Sequence, residues 1–130
     1  DLSSATIGFL GVAYKPGTST IRDSLSLKLM RELLPLVKEV RAHDYLVPKE
    51  EVLAAGSYRF CSDPYELARG SSSLLLMTSW PEYHKLDFKK MGRSMKKPKL
   101  FFDAKNALWQ EEEKIKAAGL RYVGVGRGHR

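Results

Sequence analysis

An open, mostly parallel α/β sheet with helices on both faces is the fold this sequence predicts, on two observations. Short apolar runs alternate along the chain with segments whose apolar residues recur at three- and four-residue steps, the mark of strands joined by crossover helices. One run, SLLLMT at residues 73–78, is almost continuously apolar, as a central parallel strand is when both its faces are covered.

The elements follow in order. Residues 6–13 are mostly apolar and run into the turn signal Lys15-Pro16-Gly17, which makes them the first strand. A helix is predicted from Ser24 to about Pro35, with Asp23 or Ser24 as its cap and Leu25, Leu29, Met30, Leu33 and Leu34 as its core stripe. Residues 39–44 read as the second strand. Residues 49–55 form a short helix closed by Gly56, and Asp63-Pro64 opens another, with proline in the first turn, that Gly70 closes. Residues 58–61 between them read as a strand. Two further strands are predicted at 99–103 and 120–125, with a helix from about Ala107 to Ala118 between them that Gly119 ends. Right-handed crossovers then yield a Rossmann-like sheet, whose ligands bind beyond the carboxyl ends of its strands. The loops after Ala13, Asp44, Thr78 and Asp103 are therefore where function is expected.

A length of 130 residues suits one domain, and a composition 43% hydrophobic and 28% charged is that of an ordinary globular protein. No apolar run approaches the roughly 20 residues needed to cross a bilayer, so no membrane partner is expected. The lone Cys61 excludes an internal disulfide and points to a reducing compartment, the cytoplasm. The chain begins at Asp1 and enters its first strand almost at once, so it is expected to be a piece of a longer polypeptide. A net charge of +7 favours anionic partners.

The segment GVAYKPGTSTIRDS, residues 11–24, joins the first strand to the first helix, where a dinucleotide-binding loop would sit. Such a loop needs G-x-G-x-x-G in a tight turn, so that backbone can approach a pyrophosphate at the helix N-terminus. Here Gly8 and Gly11 are spaced G-x-x-G and the next glycine is Gly17, so an ordinary NAD site is not expected. Tyr14 offers an aromatic face for a base or sugar, Lys15 a mobile charge and Arg22 a planar fork for phosphate. Each alone is more often a solvated loop residue.

Other chemistry-bearing residues have plainer readings. Cys61, with Arg59 but no histidine near it in sequence, reads as a buried packing residue. His43, His84 and His129 are too scattered for a metal site. Asp44 could mimic a ribose-binding acid, but without the glycine fingerprint a structural role is preferred. Trp80 and Trp109 read as packing residues.

The combination in the first loop resembles the opening of the C-terminal domain of the UDP-glucose/GDP-mannose dehydrogenases, roughly G-x-A-F-K-x-x-T-D-D-x-R-x-S. Gly11, Ala13, Lys15, Thr18, Arg22 and Ser24 match, and Tyr14 substitutes for phenylalanine. Downstream, HDY at residues 43–45 is similar to the family's Y-D-P, with only Asp44 matching. LLLMTSWPEYHKLDF at 74–88 resembles a strand ending T-x-W-x-E-aromatic, with Thr78, Trp80, Glu82 and Tyr83 in register. FFDAKNAL at 101–108 is similar to F-D-G-R-N-x-L, and YVGVGR at 122–127 to Y-x-G-I-G-R. The likeness covers nearly the whole chain in order.

That resemblance implies residues 1–130 as the UDP-sugar-binding C-terminal domain of a cytoplasmic oxidoreductase of polysaccharide biosynthesis. The enzyme would be an NAD-dependent UDP-sugar 6-dehydrogenase, a homo-oligomer when full length, oxidising the sugar's C6 alcohol to the uronic acid. NAD would be bound mainly by an N-terminal domain and the cysteine nucleophile supplied by a central segment, so this chain alone is expected to be inactive and to hold no catalytic residue. Carried over by position, Tyr14, Lys15 and Lys105 contact the UDP-sugar and Arg22 reaches NAD. Four positions depart from the pattern: Ser19 and Thr20 replace paired aspartates, Ala104 replaces glycine, and Lys105 replaces arginine, losing its bidentate fork.

Two other classes remain open. KKMGRSMKKPK at 89–99, with the tail from Arg127 to Arg130, would suit a basic nucleic-acid-binding module, although aromatics are not interleaved with the lysines. A non-catalytic structural or dimerisation domain is the other, because the departures fall in the candidate site. Nucleic acid is not the expected partner.

Overall fold

The computed structural model describes residues 2–22 and 24–125. Six strands form one sheet: β1 (Thr6–Leu10), β2 (Glu39–His43), β3 (Arg59–Phe60), β4 (Ser73–Leu76), β5 (Leu100–Asp103) and β6 (Arg121–Gly124). Their order is β3-β2-β1-β4-β5-β6, and every pairing is parallel. This is the doubly wound arrangement, with its topological switch between β1 and β4.

The helices are α1 (Leu25–Leu33), α2 (Lys49–Ala55), α3 (Pro64–Ala68), α4 (Phe88–Ser94) and α5 (Glu112–Ala117). Right-handed crossovers place α1 and α2 on one face and α3, α4 and α5 on the other, and α4 packs against both α3 and α5. The core lies on both faces of the middle strands. Every residue of β1 is buried, as are Leu74 and Leu76 of β4 and Phe101 of β5, whereas β6 at the edge alternates exposed and half-buried residues.

Capping explains the helix starts. Ser24 caps α1 by accepting the Leu27 N–H at 3.2 Å, and the other predicted cap, Asp23, lies outside the described residues. Asp63 accepts from the Tyr65 N–H at 2.9 Å ahead of Pro64, the predicted start of α3. Asp87 does the same for α4 through the Lys90 N–H at 3.1 Å.

The structure corrects several sequence expectations. The first strand stops at Leu10 rather than residue 13, because Gly11 at φ +102° turns the chain. In α1 the buried residues are Ser26, Leu27 and Met30, while Leu25 is 52% exposed and belongs to no core stripe. The helix predicted over 107–118 is a 3-10 turn at Trp109–Glu111 followed by α5, and Trp109 is 48% exposed, not packed inside.

Three elements of the described residues have no counterpart in the sequence expectations: the 3-10 turns Leu2–Ser4 and Pro81–Lys85, and α4. The basic run at 89–99 is largely α4 and the turn after it: Met91, Gly92 and Met95 face the core, and Lys90 sits 4.5 Å over the Tyr65 ring. It is therefore the solvated side of a packed helix. Arg127, His129 and the rest of the tail lie outside the described residues. Among the described residues, no helix is long and apolar enough to cross a membrane.

Candidate functional site

The carboxyl ends of β1, β4 and β5 open onto one edge of the sheet, and the loops after β1 and β5 carry the predicted site residues. After β1 the backbone is held at almost every polar atom. The Gly11 N–H donates to the His43 carbonyl at 2.8 Å, and the Gly11 carbonyl accepts from Ser26 Oγ at 2.8 Å. The Val12 carbonyl accepts from Ser24 Oγ at 2.7 Å, and the Ala13 carbonyl from Thr78 Oγ1 at 2.8 Å. Gly11 itself lies against the segment just after β4: a Cβ there would stand 2.4 Å from Thr78 Cβ. From Tyr14 the loop leaves the core, closed by the Tyr14 N–H on the Thr20 carbonyl at 2.8 Å.

Beyond that anchored base, Tyr14 is 53% exposed, and Lys15 and Arg22 are also exposed. The two departures in this loop stand on its surface. Thr20 Oγ1 accepts the Arg22 N–H at 3.3 Å, so the hydroxyl supplies a local turn bond of the kind an aspartate side chain makes.

A second built loop carries Lys105. Asp103, fully buried at the end of β5, takes the N–H groups of Lys105 and Ala107 on Oδ1 at 3.1 Å each. Its Oδ2 accepts from the Leu108 N–H and the Tyr122 hydroxyl, both at 2.7 Å. Asn106, at φ +51°, bridges to the Val125 carbonyl with its side-chain amide. This holds exposed Lys105 at the carboxyl end of β5, with only β4 between it and the Tyr14–Lys15 loop. At the spacing of parallel strands the two anchors are about 10 Å apart. Tyr14, Lys15, Arg22 and Lys105 thus share one edge, although they come from loops some 80 to 90 positions apart.

A groove of about 580 Å³ lies at the switch, between Pro16 and Gly17 on one side and Trp80, Pro81, Glu82 and Lys85 on the other. Trp80 is 7% exposed, so it packs as predicted while also lining the groove. Beneath it His43, Tyr45, Trp80 and Tyr83 form a cluster of rings, with His43 Nδ1 2.9 Å from the Tyr83 hydroxyl.

Burial governs the electrostatics below the groove. It pushes His43 down to about 4 despite the neighbouring Asp44 carboxylate, and drives Tyr83 well above the usual phenol range. Burial also pushes the Asp44 carboxyl upward, but N–H donors from Leu46, Ala13, Val12 and Val47 together outweigh it and leave the pKa below the ordinary value. With those four donors and the Trp80 Nε1–H, Asp44 has no acceptor position left for a ribose hydroxyl. Its preferred structural reading is the one the geometry supports. Cys61 is fully buried and burial pushes its thiol up to about 11, as suits a packing residue.

A dinucleotide does not fit the first loop in the usual manner. Gly8 faces the core, where a Cβ would stand 2.8 Å from Leu67 and Leu74 side-chain atoms, and the α1 N-terminus is already capped by Ser24. No group of three His, Cys, Asp or Glu side chains suited to a metal lies among the described residues. Sequence reasoning missed the anchoring roles of Asp103, Ser26 and Thr78. For Asp103 and Thr78 the available signal was a single polar residue closing an apolar run; Ser26, inside the first turn of α1, carried none.

Comparison with known proteins bears on the family and the fold. The family model "UDP-glucose/GDP-mannose dehydrogenase family, UDP binding domain" matches residues 8–110. UDP-glucose 6-dehydrogenase of Pseudomonas aeruginosa is 32% identical over 128 residues, covering 94% of this chain and 28% of the relative. The solved UDP-D-ManNAc dehydrogenase of Pyrococcus horikoshii superposes with a TM-score of 0.75 at 30% identity, over 98% of this chain and 27% of that one. A UDP-glucose dehydrogenase from Pyrobaculum islandicum gives 0.65 at 27% identity, over 78% of this chain and 22% of that one. The chain spans roughly a quarter of the length of these relatives. With the family's domain model matching 103 consecutive positions on an all-parallel doubly wound sheet, this chain belongs to the UDP-glucose/GDP-mannose dehydrogenase family, in its UDP-binding domain.

Proposed function

We propose that this chain is the nucleotide-sugar-binding part of an NAD-dependent UDP-sugar 6-dehydrogenase, the C-terminal domain of a longer cytoplasmic, oligomeric enzyme. Tyr14 and Lys15 on one loop and Lys105 on another contact the UDP-sugar, and Arg22 reaches NAD bound mainly outside these residues. The observation that carries the reading is the division of labour within the two loops. Buried polar residues (Asp44, Thr78, Ser24, Ser26 and Asp103) fix the backbone, while the aromatic and the cations stand free of the core on the same edge. Side chains so presented suit a diphosphate: mobile ammonium groups for the phosphoryl oxygens and a ring face for base or sugar. The first loop builds no dinucleotide cradle and Cys61 is fully buried, so this reading assigns hydride transfer to NAD and the covalent steps on cysteine to other parts of the longer protein.

Calorimetric titration of the 130-residue chain with UDP, UDP-glucose, GDP and a short single-stranded DNA tests this. UDP binding that weakens in Lys15→Ala and Lys105→Ala is the expected result. DNA binding with a steep salt dependence and no response to UDP would replace the reading with the nucleic-acid one. Retained UDP binding also counts against a non-catalytic structural domain.

A further inference from the structure

We propose that Asp44 is a positioning residue that sets the width of the switch-point groove by holding both of its walls. Its Oδ2 accepts the N–H groups of Val12 and Ala13, at 2.8 and 2.9 Å, at the root of the wall that continues to Pro16 and Gly17. The same oxygen accepts Trp80 Nε1–H at 3.3 Å, and Trp80 lines the opposite wall. Oδ1 accepts the N–H groups of Leu46 and Val47, at 2.9 and 3.1 Å, which fixes the carboxylate on its own loop.

β2, which ends just before Asp44, is not a neighbour of β4, since β1 runs between them. The segment after β4 is nevertheless tied to the end of β2 at two consecutive residues. Asp44 takes the Trp80 indole, and His43 Nδ1 meets the Tyr83 hydroxyl at 2.9 Å. The turn carrying Glu82 and Lys85 is therefore held from the end of β2 as well as through Thr78, which bonds the Ala13 carbonyl. With five donors on its two oxygens and 6% exposure, Asp44 acts on a ligand only through the walls it holds. The identity of the ligand rests on the nucleotide reading above; the wall geometry does not.

Two variants of the 130-residue chain test this, read by amide hydrogen exchange and by titration with UDP. Asp44→Asn removes one acceptor oxygen, and Trp80→Phe keeps a ring while removing only the indole N–H. Exchange in residues 11–20 and 77–85 of Asp44→Asn is expected to rise on the order of tenfold relative to β5 and β6, with UDP affinity falling by a similar factor. Trp80→Phe is expected to open 77–85 while Val12 and Ala13 stay protected, and it carries the comparison where Asp44→Asn fails to fold. A uniform rise across the whole sheet, unchanged exchange in both loops, or unchanged UDP affinity with the loops opened would overturn the proposal. If the wild-type chain does not bind UDP, the nucleotide reading fails separately. Selective opening of the two walls then still supports the positioning role, and uniform or absent opening still overturns it.

Discussion

Oδ1 of Asp103 lies 3.1 Å from the backbone nitrogen of Lys105, so a carboxylate with no exposed surface presents an exposed cation at the carboxyl end of β5. The same side chain takes the N–H groups of Ala107 and Leu108 and the Tyr122 hydroxyl. Asp103→Ala leaves these four donors, one buried and three part-buried, without their acceptor. It is expected to cost about 3 kcal/mol or more of stability, measured by urea denaturation, because each stranded buried donor costs about 1–3 kcal/mol.

Gly11→Ala is expected to be more damaging than Gly17→Ala, although both residues have positive φ, at +102° and +84°. At Gly11 the new methyl meets Thr78 Cβ at 2.4 Å, whereas at Gly17 nothing lies within 4 Å. Backbone strain of about 1–2 kcal/mol applies to both, and overpacking adds about 1–3 kcal/mol at Gly11 alone. Midpoints of denaturant unfolding for the two variants check the difference.

Acid should destabilise the fold through His43 before the carboxylates are titrated. Its pKa falls from 6.5 unfolded to about 4 folded, so between those values the unfolded chain binds the extra proton and stability drops as pH falls. The full effect is about 3 kcal/mol, present above pH 6.5 and lost by about pH 4. Asp44, with its folded pKa below the ordinary value, adds a further loss only as pH falls through and below the carboxylate range. Melting temperatures of wild type and His43→Gln at pH 7, 6, 5 and 4 should converge as the pH falls, since the variant lacks the imidazole.

Lys15→Ala and Lys105→Ala should leave stability within about 0.5 kcal/mol, because both side chains are exposed. Each should weaken UDP binding on the order of tenfold, the loss of a charge-assisted contact. Lys105→Arg restores the planar fork and should bind UDP more tightly than wild type. Parallel titrations and melting curves separate binding from folding.

Cys61 should resist alkylation at pH 8 in the folded chain and react promptly in denaturant. Its thiol is fully buried and pushed up to about 11, and thiolate is the reactive form. Fast modification of the native protein would contradict its packing role.

Much of this fold was legible from periodicity, because the strands and helices that read clearly are those whose neighbours in sequence share one environment. SLLLMT is covered on both faces and announced β4; Asp63-Pro64 and Ser24 announced helix starts through bonds made within three residues. The segment holding α4 was obscured because Phe88, Met91 and Met95 are separated by lysines and arginines that stay in water, so charge masked the helical step. Leu25 misled in the opposite direction: its spacing fits the stripe, but the helix rotation is set by Leu27 and Met30 against the sheet.

The site divides in the same way. Residue types and order along the chain were enough to single out Tyr14, Lys15, Arg22 and Lys105 and to imply the family, because motif spacing is a property of the chain alone. Which strands are neighbours, that β1 and β4 diverge at the switch, and that Asp44 joins groups 32 and 36 positions away were decided only in three dimensions. Those contacts depend on loop closure and on competition for buried acceptors, whose outcome is settled by packing the whole sheet rather than by any local stretch of sequence.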